Sequence, residues 1–184
     1  MATIYEAIDG RLRDVILAQK VFFVATAPST VDGHVNLSPK GMTGSFVVLD
    51  PLRVAYLDYT GSGAESIAHL RENGRIVLMF CAFEGPPTII RLHGRGRSVL
   101  PEDPGFEALM AAFASPPYHH GLRSVIEVEV TRVSDSCGWA VPQMTYEADR
   151  DILRLSHERK SDEDLVEYWA NRNKVSIDGL PALR

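Results

Sequence analysis

The chain has 184 residues, 45% of them hydrophobic, and a formal net charge of −5. That length supports one ordinary domain with a sizeable core, and the acidic balance excludes a general nucleic-acid binder. Cys81 and Cys137 form neither a disulfide framework nor a metal-ligand spacing. No apolar run approaches membrane-spanning length, and the acids in the first turns suit neither a secretory signal nor a transit peptide. The reading is of a cytoplasmic protein with no nucleic-acid or membrane partner.

In chain order, Ile4 to Gln19 has helical periodicity, with Ile4, Ile8, Leu12 and Ile16 on one stripe. Lys20 to Thr26 is β-branched and aromatic, a short strand. A hairpin-type loop from Ala27 to Gly33 leads into an alternating strand, His34 to Ser38, which Pro39-Lys40-Gly41 is expected to break. Ser45 to Leu49 and Arg53 to Tyr59 are further strands divided by Asp50-Pro51. So many short strands without a crossover helix favour antiparallel meanders and barrels.

The stretch from Asp58 to Phe80 then gives a small-residue turn, Thr60-Gly61-Ser62-Gly63, a helix from Ala64 to Asn73 and an apolar strand from Arg75. Asn73-Gly74 has the form of a C-cap pair. A glycine-rich turn that feeds a helix N-terminus exposes unpaired N–H groups, as phosphate sites do. Ser62-Gly63-Ala64-Glu65 is also S-x-x-E, a capping box that would satisfy only the helix itself. Both readings stay open here.

Beyond the Glu84-Gly85-Pro86-Pro87 turn, Thr88 to Leu100 is extended, with Arg91, His93, Arg95 and Arg97 on one face. Val125 to Val133 is a second long strand that carries Glu127 and Glu129. Cross-strand Arg–Glu pairs on a solvated face and a cationic wall around an anion are both compatible with that pattern. Gly94 and Gly96 read as a pinched or bulged strand. Pro104 to Ala114 and Asp164 to Asn173 have helical spacing; Ser115 to Gly121, Ser134 to Pro142 and Ser176 to Pro181 read as loops and turns. There is no G-x-S-x-G, H-E-x-x-H or P-loop motif. No catalytic side chain is predicted, and a cofactor would have to carry any hard chemistry.

Asn36-Leu37-Ser38-Pro39-Lys40-Gly41, Tyr59-Thr60-Gly61-Ser62-Gly63, Glu72-Asn73-Gly74-Arg75 and Arg91-Leu92-His93-Gly94-Arg95-Gly96 occur in that order. Asp135-Ser136-Cys137-Gly138-Trp139 and Ser176-Ile177-Asp178-Gly179-Leu180-Pro181 follow. In this order and spacing the chain resembles the pyridoxamine 5′-phosphate oxidase-related FMN-binding split barrels. The resemblance implies a mainly β fold with flanking helices, a six-stranded antiparallel split β-barrel. It implies one domain over residues 1–184 with a helical tail from about 143, and a homodimer with FMN at the interface. Carried over by position, Ser38, Lys40, Thr60, Gly61, Ser62, Gly63, Ser66, Arg91 and Trp139 are the cofactor-binding candidates, Trp139 as a partner-chain contribution or as plain interface packing. True oxidases place basic residues after the G-S of the turn; here Gly63 and Ala64 stand there. Cationic phosphate binding therefore falls to Lys40 and Arg91, and the vitamin is not the expected substrate. The implied activity is FMN-dependent oxidoreduction of a small molecule. A non-catalytic flavin carrier or sensor, and a haem-binding relative with His93 or His69 as ligand, stay open.

Overall fold

A computed structural model describes residues 3–183 and shows, among them, eight strands and five helices. In chain order these are β1 (Thr3–Tyr5), α1 (Gly10–Ala18), β2 (Val21–Thr26), β3 (Asn36–Gly41), β4 (Phe46–Asp50), β5 (Arg53–Tyr59), α2 (Glu65–Glu72), β6 (Arg75–Cys81), β7 (Thr88–Val99), α3 (Phe106–Met110), β8 (Leu122–Cys137), α4 (Ile152–Glu158) and α5 (Asp162–Arg172). One antiparallel sheet runs β3-β2-β6-β7-β8-β5-β4, with β1 added along the far end of β8. The mainly β split-barrel expectation holds, with eight strands in place of six.

The additional strand β1 comes from the segment expected to start a helix. Thr3 to Tyr5 pair with Asp135 to Val133, and the Tyr5 hydroxyl donates to Asp135 at 2.7 Å. The helix starts only after Asp9, whose carboxylate accepts the Leu12 N–H at 2.7 Å as an N-cap. Leu12 and Ile16 are buried, whereas Ile4 stays 64% exposed, so the apolar stripe drives helix packing only past Ile8.

Two more boundaries differ from expectation. β3 continues through Pro39-Lys40-Gly41, because it is a margin of the sheet and a proline there removes no ladder hydrogen bond on its open side. β8 absorbs Ser134 to Cys137, which were expected to turn, because β7 pairs with them on one side and β1 with Ser134 and Asp135 on the other. Gly94 lies at a register shift between β7 and β8, where a Cβ would stand 2.2 Å from the Glu129 carbonyl; this is the pinched strand the glycines imply. Arg97 bonds Glu127 directly across from it, so the solvated cross-strand pair is realised there.

Residues directly opposite in an antiparallel sheet share a face, which sorts the side chains. Phe22, Phe80, Tyr56 and Phe46 meet inside the barrel with ring centroids 5.1–5.5 Å apart, joined by Val24, Leu78, Ile90, Leu92 and Ile126. A second cluster, with Leu57, Tyr59, Val99, Phe106, Phe113 and Val125, lies under α3. β5 serves both, with Val54 and Tyr56 in one and Ala55, Leu57 and Tyr59 in the other. Its next inward position is Asp58, fully buried.

The C-terminal segment packs back onto the barrel. Ala182 and Leu183 are buried in the main core, Arg71 donates to the Ala182 carbonyl, and His34 meets Asp178 at 2.7 Å. α5 is opened by a reciprocal capping box between Ser161 and Asp164.

Candidate functional site

The two margins of the sheet, β3 and β4, follow each other in the chain but pair with different neighbours, which leaves a seam between β3 and β5. Asn36, Ser38 and Lys40 line the inward face of β3, opposite Thr26, Val24 and Phe22. Asn36 donates to Thr26 Oγ1 at 3.2 Å and to Ser66 Oγ at 3.1 Å, and accepts from Ser38 Oγ at 2.9 Å. Lys40 Nζ lies 3.1 Å from Asp58 Oδ1. The turn between β5 and α2 is therefore tied to β3 at both ends, through Asp58 at Lys40 and through Ser66 at Asn36. It spans the stretch that carries Ser38.

Asp58 is the electrostatic centre. Arg123 Nε donates to its Oδ2 at 2.7 Å and Ser124 Oγ at 3.3 Å. Arg123 reaches it because the β5–β8 register shifts between Asp58 and Tyr59, and a bulge re-aims the side chain it displaces. Burial alone would raise the Asp58 carboxyl, but Arg123 and then Lys40 outweigh it and hold the group well below the ordinary carboxylate range. Two cations on one carboxylate leave one positive charge in excess. The Arg123 side chain is 4% exposed and Lys40 is 22% exposed, so the excess is presented at Lys40.

Lys40 opens onto a cleft of about 540 Å³ lined also by Leu57, Tyr59, Tyr146, Lys20 and Arg150. The extended strap that carries Tyr146 is held by hydrogen bonds from Met144 N–H to Phe83 O and from Thr43 N–H to Asp149. Lys20 sits 5.4 Å from the Tyr146 ring centroid. Among the described residues, the only acid lining the cleft, Asp149, is engaged by that Thr43 N–H. The cleft thus combines an apolar and aromatic wall with cations.

The turn is not a capping box. Ala64 is the N-cap, without a side-chain cap bond, and Glu65 is the first helical residue; Glu65 instead accepts from Ile177 N–H at 3.4 Å. The tail claims the turn's backbone: His157 Nε2 donates to Thr60 O at 3.0 Å and Asn173 Nδ2 to Gly61 O at 3.0 Å. Thr60 Oγ1 donates to Gly121 O and accepts from Trp169 Nε1, each at 2.8 Å, so it has no donor left for a ligand. Ser62 is exposed and makes no side-chain bond among the described residues. Ser62→Ala is accordingly expected to change unfolding free energy by less than about 0.5 kcal/mol, as at an ordinary surface position; an N-cap loss of about 1 kcal/mol in a urea melt would restore the capping role.

Arg91 lies apart from this group. It stands opposite Met79, which stands opposite Phe23 and then Pro39, so it shares the outer face of the sheet with Pro39 and not the inner face with Lys40. Arg91 Nη1 donates to Ser136 Oγ at 3.0 Å, next to the segment leading to Trp139, which is 85% exposed. The structure thus gathers Ser38, Lys40, Ser66 and the Thr60–Gly63 turn at the seam, and Arg91 and Trp139 outside it.

His69 is fully buried against Thr26 Oγ1, 3.0 Å from its Nδ1, and burial lowers its pKa. His93 is on the outer face, lowered by burial and then by Arg132 and Arg91. Asp58, Arg123, His157, Trp169 and Asn173 were not among the residues the sequence singled out. Only Asp58 carried a signal, as the one carboxylate inside the apolar run of β5.

The family model for pyridoxamine 5′-phosphate oxidase matches residues 8–137. The pyridoxamine 5′-phosphate oxidase family protein ustO of Aspergillus flavus is 37% identical over 197 positions, spanning 100% of this chain and 78% of that protein. Among solved structures, group A Streptococcus HupZ superposes with a TM-score of 0.55 at 22% identity, over 77% of this chain and 99% of that one. An FAD-binding protein from Mycobacterium smegmatis gives 0.52 at 18% identity, over 73% and 96%. An FMN-binding protein from Syntrophomonas wolfei gives 0.50 at 15% identity, over 67% and 82%. The structures agree in fold, and the family match covers the strands that build the seam; the chain belongs to the pyridoxamine 5′-phosphate oxidase family.

Proposed function

We propose that this protein is an FMN-binding flavoprotein that acts as an oxidoreductase on a small molecule and works as a homodimer. The observation that carries the reading is the surplus positive charge at Lys40, a three-donor ammonium with one contact to Asp58, set at the mouth of a cleft with aromatic walls. The fold neighbours described as FMN- and FAD-binding proteins support a flavin as the ligand class.

The residues present fit a phosphate monoester. Lys40 supplies charge, the Ser62 hydroxyl is exposed and without a partner among the described residues, and the space around Gly61 is open, with no atom beyond its chain neighbours within 4 Å of where a Cβ would stand. Glu65 is the opposing element, with its carboxylate folded back to the Gly63 Cα. Lys40, Ser62 and the turn N–H groups would hold the phosphate, and the exposed ring of Tyr146 offers a face to an aromatic ring. Bound flavin supplies hydride or electron transfer at its N5. The chain's part is to bind and orient it and to exclude water under the strap.

A second copy is the partner in this reading. The outer face of β2, β3, β6 and β7 carries Phe23, Leu37, Val77 and Met79, beside Arg91 and the exposed Trp139, and would meet its counterpart across a two-fold axis.

Titration of the purified protein with FMN, riboflavin and FAD tests the proposal. Uptake of FMN in preference to riboflavin, with flavin absorbance bands, is the expected result; no uptake of any flavin overturns it. Turnover with a reduced nicotinamide and an acceptor separates the oxidoreductase from a carrier. Lys40→Ala is expected to weaken FMN binding by about 1.5–3 kcal/mol, the worth of a hydrogen bond to a charged group. Asp58 keeps Arg123 in that variant, so the protein stays folded. Unchanged affinity would place the phosphate elsewhere.

A further inference from the structure

The C-terminal segment makes closer contact with the Thr60–Gly63 turn than β3 does. Both consecutive carbonyls of that turn are held by tail side chains: Thr60 O by His157 Nε2 and Gly61 O by Asn173 Nδ2, each at 3.0 Å. Asn173 is fully buried and its amide orientation is dictated by its neighbours. Its Oδ1 accepts from Arg123 Nη1 at 2.9 Å, a group with no acceptor, and its Nδ2 faces a carbonyl, a group with no donor. Its own backbone is fixed as well, with its N–H on Trp169 O and its carbonyl accepting from Leu183 N–H.

A trans peptide plane points its C=O and N–H in opposite directions. Holding the Thr60 and Gly61 carbonyls toward the tail therefore turns the Gly61 and Ser62 N–H groups away from it. Neither N–H donates to a protein acceptor among the described residues. Successive N–H groups aimed together form an anion-binding concavity, and this one has the exposed Ser62 hydroxyl beside it and free space over Gly61.

We infer that Asn173, with His157, is a positioning residue for an anion site at the Gly61–Ser62 backbone: the tail sets the direction of the N–H groups that would receive a phosphate monoester. The inference rests on the flavin reading for the identity of the ligand but not for the existence of the site. Asn173 also ties the turn to the Asp58 cluster through Arg123, so Lys40 and the N–H pair are held in one frame.

The first measurement needs no variant. Amide resonances of Gly61 and Ser62 in the full-length protein are followed while inorganic phosphate is added. Both are expected to shift in a saturable way, and a titration that leaves them in place overturns the inference. The second uses Asn173→Ala and Asn173→Asp, the latter keeping the size and the acceptor toward Arg123 while losing the donor toward Gly61. In each, the ratio of riboflavin Kd to FMN Kd is expected to fall roughly tenfold, as for loss of about one hydrogen bond to a charged group, with riboflavin affinity within about twofold. Variants that keep the ratio, or lose both ligands equally, show a merely structural asparagine and overturn it. Wild-type protein that shifts with phosphate but takes up no flavin removes the flavin reading and leaves the anion site standing.

Discussion

Asp58→Asn is expected to lower the unfolding free energy by about 3–5 kcal/mol, because removing one partner of a buried ion pair strands the other. The stranded partner is Arg123, whose side chain is 4% exposed; Lys40, at 22%, can turn outward. A loss of that size is a large part of the 5–15 kcal/mol typical of a domain. It would be read as a fall in the urea midpoint at unchanged m; a loss under about 1 kcal/mol would mean that Asn173 and water satisfy the guanidinium unaided. The pH dependence follows the same group. The folded Asp58 pKa is depressed, so its stabilisation is fully present above the unfolded carboxylate value of about 4 and is lost as pH falls below it. Burial lowers His69 and His157, so each adds a loss that begins as pH falls below about 6.5. Wild type is expected to weaken in both windows. Asp58→Asn should keep the loss that begins near pH 6.5 and reduce the one below about pH 4, to which Asp50, Asp135 and Asp178, also lowered by their partners, still contribute.

What the sequence could reveal of this site was local. Arg53–Tyr59 has the bounds expected of a strand set off by Asp50-Pro51, α2 follows the turn, and Asn73-Gly74 closes it with Gly74 at φ 69°. The S-x-x-E pattern at Ser62 was locally sound, yet the helix opens at Glu65, and the Thr60 and Gly61 carbonyls before it are held by side chains more than ninety positions later. Arg123 and Asp58 are 65 positions apart and meet only through a register shift in a strand pair. Placing Arg91 on the opposite face from Lys40 needs three successive strand registers. Short-range chemistry was legible, and the frame that aims it depends on long-range pairing and on the tail.

Gly121→Ala tests the tail's grip on the turn from the other side. Gly121 has φ 85°, where an alanine is strained by about 1–2 kcal/mol. Its carbonyl receives both the N–H and the hydroxyl of Thr60, at 2.9 and 2.8 Å, so its backbone cannot relax without releasing the turn. An added Cβ would stand 2.3 Å from His157 Nδ1 and 2.5 Å from its Cγ, pushing the ring out from beside Tyr118 and off the Thr60 carbonyl. Overpacking of this kind costs about 1–3 kcal/mol more. The variant is expected to melt several degrees lower, at about 2–4 °C for each kcal/mol in a chain of this size. The ring contact is separated from the backbone strain by a double-mutant cycle with His157→Ala. In that background Gly121→Ala should cost only the strain, and the cycle should show a coupling of about 1–3 kcal/mol. An equal cost in both backgrounds would mean that the imidazole moves aside freely, and with it the claim that His157 fixes the Thr60 carbonyl would fall.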